Sequence, residues 1–420
     1  MPEEARRGSW RPRGPFRREV WRSPLRGPWL ASALGAILLV GFTVVAVTGF
    51  LSYAAYNPRL GANDRTPEAA LLRFYLFDWP TSPVWLYRAT QGTHVVLGFA
   101  LVPVVLAKLW AVAPKLYEWP PVRSVAHALE RVNLALLVGS ALFQLATGIL
   151  NVEYDYLWRF SFYDAHLYGA WVFTVSFAVH AALKFPTMVR SLRGRSTDPA
   201  RAPHHDDGLT PVAPRRPTLS RRAFMGWVGG GSAVLVVLTA GQAIGGAARR
   251  VALLAPRGRS YGNGPNDFQV NKTAHAAGVT EHDAGPGWRL EIVGRRTVVL
   301  DRDQLLAMEQ HTEELPIACV EGWSTSQTWT GVRLGDLADL VDRRPAASVL
   351  VESLQRGGAF SSTTLSGDQV REPRSLLALR VNGADLSLDH GYPARVIVPA
   401  NPGVHNTKWV RRLTFAEHDA

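Results

Sequence analysis

Five apolar runs, each long enough to cross about 30 Å of hydrocarbon, occupy about half of the first 250 residues. They cover 30–56, 91–113, 124–150, 164–185 and 226–248. A lipid environment offers no water to the peptide groups, so each run is expected to be a helix with its hydrogen bonds satisfied internally. The first run carries no charge; Lys108 in the second and Glu130 and Arg131 in the third stand near one end, where long side chains reach the interface. The first run is too long for a secretory signal and follows 29 residues of basic leader, so it reads as a span.

Arginine placement orients the spans. The leader carries Arg6, Arg7, Arg11, Arg13, Arg17, Arg18, Arg22 and Arg26, and the Pro-rich loop 186–222 carries Arg190, Arg193, Arg195, Arg201, Arg215, Arg216, Arg221 and Arg222. Both belong on the inner side, which requires the even number of crossings that four spans supply. The fifth then delivers the C-terminal domain to the extracytoplasmic side of a multi-pass cell-membrane protein. Trp29, Tyr53, Tyr56, Trp79, Trp85, Trp119 and Trp158 fall near the expected boundaries, as an aromatic belt does. A net charge of +12 raises the question of nucleic acid, but these arginines flank apolar runs and form no stripe with interleaved aromatics, so no nucleic-acid partner is expected.

The fifth span opens Ser220-Arg221-Arg222-Ala223-Phe224-Met225-Gly226. This resembles the twin-arginine export signal, which moves folded, cofactor-loaded domains; an ordinary positive-inside anchor also places arginines here. Beyond about residue 255 the pattern changes to short strand-like runs separated by turns. Residues 288–293 and, less cleanly, 395–398 alternate; 348–351 is a buried-strand type, and 301–309 and 334–341 are helical. The expected architecture is a four-helix transmembrane bundle with a fifth anchoring helix, followed by an α+β domain. Its parts are a leader (1–29), a membrane domain (30–190), a Pro/Arg linker (191–222), the anchoring helix (223–250) and the exported domain (255–420).

His166 and His180 lie fourteen residues apart in the fourth run, within ~40° of one helix face and ~21 Å apart along it. By depth, His94 in the second run belongs with His166, and His127 in the third belongs with His180. The spacing resembles that of the dihaem b-type cytochromes, whose four-helix bundles react with quinone. That resemblance implies two b-type haems, each between two of these histidines, and a quinone or quinol partner in the bilayer. Histidines at membrane interfaces also occur as ordinary amphipathic residues, so each needs its depth partner to count.

Cys319 is the one cysteine of the chain, which excludes an internal disulfide and leaves packing or metal chemistry to account for it. It stands in Cys319-Val320-Glu321-Gly322-Trp323-Ser324, followed by Trp329-x-Gly331-Val332-x-Leu334-x-x-Leu337. Upstream is Asn266-Asp267-Phe268-Gln269-Val270; downstream are Asn382-Gly383, then His390-Gly391-Tyr392-Pro393-Ala394-Arg395, then Asn406-Thr407-Lys408-Trp409. In that order these blocks resemble the sulfite oxidase superfamily over most of 262–416, in the version used by its periplasmic reductase branch.

The resemblance implies a molybdopterin cofactor whose molybdenum takes the Cys319 thiolate, a soft and strong donor. It further implies that Asn266, Gln269, Val270, Ser353, His390, Asn406 and Thr407 hydrogen-bond the pterin, that Arg395 pairs with its phosphate and that Lys408 supplies a point charge. Against these stand plainer roles: His390 as a turn cap and Arg395 as a solvated strand charge. Arg356 and Arg374 are the candidates for a sulfite pocket, and His275, His282 and His311 are expected at the surface, with His405 left open.

The chain is thus expected to pass electrons among quinone, two haems and an extracytoplasmic molybdenum that transfers oxygen to or from a small sulfur or nitrogen compound. Reduction of S- or N-oxides is favoured by the branch. A sulfite-type dehydrogenase feeding quinone, and a non-catalytic cytochrome b subunit, are the alternatives.

Overall fold

The computed structural model describes residues 14–63, 75–153, 157, 159–194, 207–342, 344–357 and 360–416. Its described residues fall into two compact units, one drawn from 1–46, 97–148 and 165–236, the other from 47–96, 149–164 and 237–420.

Five described helices are long and apolar enough to cross a membrane: α1 (Pro28–Tyr56), α2 (Leu86–Leu116), α3 (Val125–Val152), α4 (Phe162–Arg193) and α5 (Arg221–Ile244). Each is close to its expected run, with one clear departure. Pro186, expected to open the loop, lies inside α4, which continues to Arg193. A proline removes one ladder bond and is tolerated in spans when its surroundings re-satisfy the freed carbonyl. At the other boundary Ser220 caps α5, its Oγ accepting from the Ala223 N–H at 3.1 Å, so the Ser-Arg-Arg triplet forms the helix start.

Within the first unit the helices pack in a register that side chains report. Leu30, Leu34, Leu38 and Phe42 of α1 form one apolar cluster with Leu101, Val104, Val105 and Ala111 of α2 and with Phe173 of α4. Phe42 meets the rings of Phe173 and Phe177 edge-on at 4.9 and 5.7 Å. Gly41 lies against Leu101 and Gly35 against the Lys108 ammonium, which donates to the Ala31 carbonyl at 2.6 Å. Between α3 and α4, Thr147 meets His166, the Asn133 side chain donates to Ser176 O at 3.3 Å, and Glu130 pairs with Lys184.

The second unit contains the C-terminal α/β domain, built on two five-stranded sheets. One runs β2 (Thr297–Leu300), β1 (Leu290–Val293), β10 (Val410–Ala416), β5 (Ser348–Ser353), β6 (Ser362–Ser366), with β1 and β10 parallel and the other pairs antiparallel. The other runs β3 (His311–Ala318), β4 (Ser324–Arg333), β7 (Leu376–Val381), β8 (Ala384–Asp385), with β9 (Arg395–Ile397) also on β7. Two short helices follow from capping boxes: Asp301 with Gln304 starts α7 (Arg302–Ala307), and Ser366 with Gln369 starts α9 (Gly367–Arg371). The core joins Leu290, Ile292, Val349, Val351, Leu377, Leu379, Val396, Val410 and Leu413, none of them exposed.

The same unit includes the ends of α1 and α2, and here the aromatic-belt expectation needs correction. Tyr53, Tyr56 and Trp79 are buried. The Trp79 indole donates to Ala400 O at 2.7 Å, and Tyr56 and Tyr87 cluster with Trp79, Ala318, Phe360 and Val404. Tyr56 and Trp79 are covered by residues of the C-terminal domain, which no hydropathy pattern encodes.

Candidate active site

Cys319 is the first residue of the five-residue connection between β3 and β4, a turn closed by two main-chain bonds. The Cys319 N–H donates to Trp323 O at 3.0 Å, and the Gly322 N–H donates to Cys319 O at 3.0 Å. Gly322 has φ +87°, and a Cβ there would lie 2.8 Å from Val95 on α2, so both its backbone and its close contact require glycine. The carbonyl of Val320 accepts from Gln91 Nε2 at 2.5 Å, the carbonyl of Glu321 from Gln242 Nε2 at 3.3 Å, and Ala243 O takes the Ser324 hydroxyl at 2.8 Å. The loop is therefore held along its length by the ends of α2 and α5.

The Cys319 thiol is buried, and burial pushes its pKa up. A soft metal bound to the sulfur would replace the proton and remove that penalty. Its Sγ lies 3.3 Å from Glu321 Oε1. Burial likewise pushes Glu321 up, opposed by the Trp323 indole N–H, which donates at 2.6 Å. The Arg257 guanidinium reaches both carboxylate oxygens, at 3.1 and 3.3 Å, and its Nη2 also donates to Asn271 O. We read Glu321 and Arg257 as an ion pair on this fork geometry. Neither was singled out from the sequence, although Glu321 lies inside the cysteine motif.

The residues expected to hold the pterin come together around one buried pair of cations. Arg395, on β9, and Lys408 are both buried, and among the described residues neither pairs with a carboxylate within 4 Å. Arg395 donates to His390 O and Asn406 O at 3.1 and 3.2 Å; Lys408 donates to Lys272 O and Asp389 O at 2.8 and 2.7 Å. Burial pushes Arg395 down to about 9 and Lys408 well below its usual range, Arg395 adding to the latter. Two buried like charges without a counter-ion fit an anion.

Arg395 Nε, Asn406 Nδ2, Thr407 Oγ1 and Gln269 Oε1 are buried and unpartnered, which is the donor and acceptor set a pterin phosphate and ring require. His390 stacks on Phe268 at 3.7 Å, and its Nε2 donates to Asn266 O at 2.9 Å. Asn266 has its side chain committed to Asp385 O and the Ser387 N–H, and Ser353 Oγ donates to Lys408 O at 2.7 Å. Both therefore position neighbours, leaving main-chain atoms for a ligand. Val270, half-buried, continues the Asn266 segment.

Other expectations sort clearly. His275 and His282 are exposed as expected. His311 is instead enclosed near Glu309 and Asp336, because β3 carries it against α8 (Leu334–Asp339). His405 is buried and meets the Tyr56 ring edge-on at 5.0 Å. Arg356 pairs with Asp283 and Arg374 with Glu372.

The four histidines of the long apolar helices divide by their surroundings. His94 Nδ1 lies 3.2 Å from Thr48 Oγ1, and His166 Nδ1 lies 3.0 Å from Thr147 Oγ1, each hydroxyl coming from a neighbouring helix. Each ring also passes a glycine, Gly49 and Gly148 respectively, whose added Cβ would meet Cε1 at 3.0 and 3.2 Å. The threonine contact at Nδ1 orients each ring. His127 is placed differently: it lies in the first turn of α3, where its Nδ1 accepts the Arg123 N–H at 3.2 Å. The α3–α4 register sets it about one turn, ~6 Å, beyond the level of His180. Among the described residues no group of three or more His, Cys, Asp or Glu gathers to hold a metal ion.

Comparison with known proteins agrees with the C-terminal geometry. Residues 276–420 match the family model for the oxidoreductase molybdopterin binding domain. The chain is 34% identical over 149 residues to the protein-methionine-sulfoxide reductase catalytic subunit MsrP of Gluconobacter oxydans, covering 31% of this chain and 48% of that protein. It is 27% identical over 148 residues to the oxidoreductase YuiH of Bacillus subtilis, covering 34% and 73%, and 28% identical over 162 residues to mitochondrial sulfite oxidase of Mus musculus, covering 32% and 30%. The chain thus spans about half the length of the MsrP relative. The C-terminal part of the chain is an oxidoreductase molybdopterin-binding domain of the sulfite oxidase family.

Proposed function

We propose that the chain is a membrane-bound molybdenum oxidoreductase that draws electrons from quinol through two b-type haems to reduce a small S- or N-oxide. Molybdenum held by pterin and Cys319 would supply two-electron oxygen transfer, and the haems would divide the electron pair into single steps. Arg395 and Lys408 would bind the pterin phosphate, with Asn406, Thr407 and Gln269 completing its hydrogen bonds. Glu321 and Arg257 would hold the cysteine turn. The outer haem would lie between His94 and His166, the inner one on His180, for which His127 is the partner expected by sequence. The exported side is the expected location of the C-terminal domain.

The observation that carries this reading is the contact between Gly322 and Val95. Val95 adjoins His94, and Gly322 is three residues from Cys319, so a short through-protein path joins the thiolate to a histidine of the bundle. A cytochrome subunit without molybdenum has no need of such a path.

Purified full-length protein tests it. Metal analysis is expected to find molybdenum with haem iron, and the reduced-minus-oxidised spectrum a b-type band lost in His94→Ala and His166→Ala. Methionine sulfoxide is expected to oxidise the quinol-reduced haems, whereas sulfite is not expected to reduce them. Iron without molybdenum, or haem reduction by sulfite, would overturn the reading.

A further inference from the structure

Three of the long helices have an end at one cavity of about 400 Å³ within the first unit. The start of α1 lines it with Gly27, Pro28 and Trp29, the last turn of α4 with Ser191, the loop 208–214 with Thr210, and the start of α5 with Arg221. Arg26 is the buried charge of this cavity, only 6% exposed. Its guanidinium lies over the rings of Trp21 and Trp110, at 4.8 and 4.3 Å, and its Nε donates to Trp110 O at 3.2 Å. Among the described residues its two Nη nitrogens donate to no acceptor.

Among the described residues neither Arg26 nor Arg221 pairs with a carboxylate within 4 Å. A Cβ built on Gly27 would lie 3.8 Å from Thr210 Oγ1 and 4.0 Å from Arg221 Nη2, so hydroxyl and guanidinium stand over the same glycine. The acid of this loop, Asp207, turns its oxygens to other donors. It accepts the N–H groups of Leu209 and Thr210 at 2.7 Å each, and the Thr210 hydroxyl at 2.6 Å. The first-turn N–H groups of α1 and α5 add partial positive charge, while Arg190 and Arg193 offset the opposite dipole at the α4 terminus. Burial with no counter-ion to oppose it pushes the Arg26 pKa down. Two unpaired arginines, one of them buried beside an enclosed space, fit an oxyanion.

We propose that this cavity holds the phosphate of an anionic lipid headgroup. The Nη edge of Arg26 takes two phosphate oxygens in the fork geometry of a guanidinium, and Arg221 supplies the second cation. Pro24, Pro28, Trp29, Pro211 and Pro214 give the same cavity an apolar wall, which suits the glycerol and first acyl carbons of a lipid and adds nothing for free phosphate. Depth favours the same occupant. The cavity lies at the ends of three helices that are each long and apolar enough to cross a membrane, which is the level of the headgroups for a helix that spans. The site uses none of the residues of the redox reading above and does not depend on it.

The test is calorimetry on purified full-length protein in detergent, with dihexanoyl phosphatidylglycerol, dihexanoyl phosphatidylcholine and inorganic phosphate as probes. Phosphatidylglycerol is expected to bind the most tightly, because phosphatidylcholine brings a cation to the arginines and phosphate leaves the apolar wall bare. Arg26→Gln and Arg221→Gln are each expected to weaken phosphatidylglycerol binding about tenfold, with far-UV circular dichroism unchanged. Arg221 is exposed, so its variant keeps the test decisive should Arg26→Gln fail to fold. Arg216→Gln, which removes an exposed arginine outside the cavity, is expected to leave the affinity as it is. Equal affinity in the parent and in Arg221→Gln, or an equal loss in Arg216→Gln, would overturn the site. Phosphate that binds as tightly as phosphatidylglycerol, and is lost in the cavity variants, would overturn the lipid as its occupant.

Discussion

Gln91 donates from its side-chain amide to the carbonyl of Val320, joining the end of α2 to the residue after Cys319 at 2.5 Å. Gln91 is buried, three positions and so one helical turn before His94. A buried amide in an apolar segment is retained when it has a specific partner, and here the partner is the turn that carries the thiolate.

Gln91→Leu keeps the volume and removes the bond. On the proposed electron path it is expected to slow haem oxidation by substrate several-fold in stopped-flow absorbance. Turnover with a reduced dye that feeds molybdenum directly is expected to be unchanged, as is the haem spectrum. An equal loss in both assays would identify Gln91 as a structural support of the turn.

The buried cations predict cofactor retention. Arg395→Met and Lys408→Met each remove a charge-assisted contact worth about 1.5–3 kcal/mol, which corresponds to roughly 10- to 100-fold weaker pterin binding. Released pterin and molybdenum, measured per mole of purified protein, are expected to fall while haem content does not. Cys319→Ser is expected to abolish turnover with the haem spectrum intact. Retained turnover would remove Cys319 from the ligand set.

His390 gives a pH dependence with a defined sign. Burial, with Arg395 and Lys408 adding to it, pushes its imidazole down to about 3. A folded-state pKa below the unfolded value of ~6.5 means its contribution is complete above pH 6.5 and lost as pH falls toward 3. By pH 5 the loss is about 2 kcal/mol. Thermal unfolding of the C-terminal domain, followed by tryptophan fluorescence, should shift downward between pH 7 and 5. His390→Gln should flatten that shift; an unchanged slope would assign it elsewhere.

What the sequence disclosed and what it withheld have different physical origins. The five helices follow from hydropathy over more than 20 residues, a local property that survives any tertiary arrangement. The setting of Cys319 was legible because the ordered motif blocks occur together. Tyr56 and Tyr87 were read as interface aromatics or passed over, because their burial depends on which loop covers the helix ends. Arg257 lies outside every motif block, and its partner Glu321 is 64 residues away. His127 and His180 looked level because spacing was counted from expected span ends, whereas the side-chain contacts between α3 and α4 set the actual register.

That register makes the last prediction. The α1–α2 contacts set Lys108 beside Gly35, and Phe42 packing between Phe173 and Phe177 sets Gly35 within about two residues of the level of His180, or ~3 Å. Lys108 also lies fourteen residues after His94, as His180 does after His166. If His127 ligates the inner haem, α3 has to advance its first turn toward His180 and give up the Arg123 N–H contact. His127→Ala should then convert one haem to a high-spin, carbon monoxide-binding form, while Lys108→Met leaves the low-spin spectrum intact. The opposite pair of outcomes would assign the level position to Lys108 and leave His127 as the N-terminal contact of α3. Electron paramagnetic resonance of the oxidised variants separates the two, because each axial ligand set has its own low-spin signal.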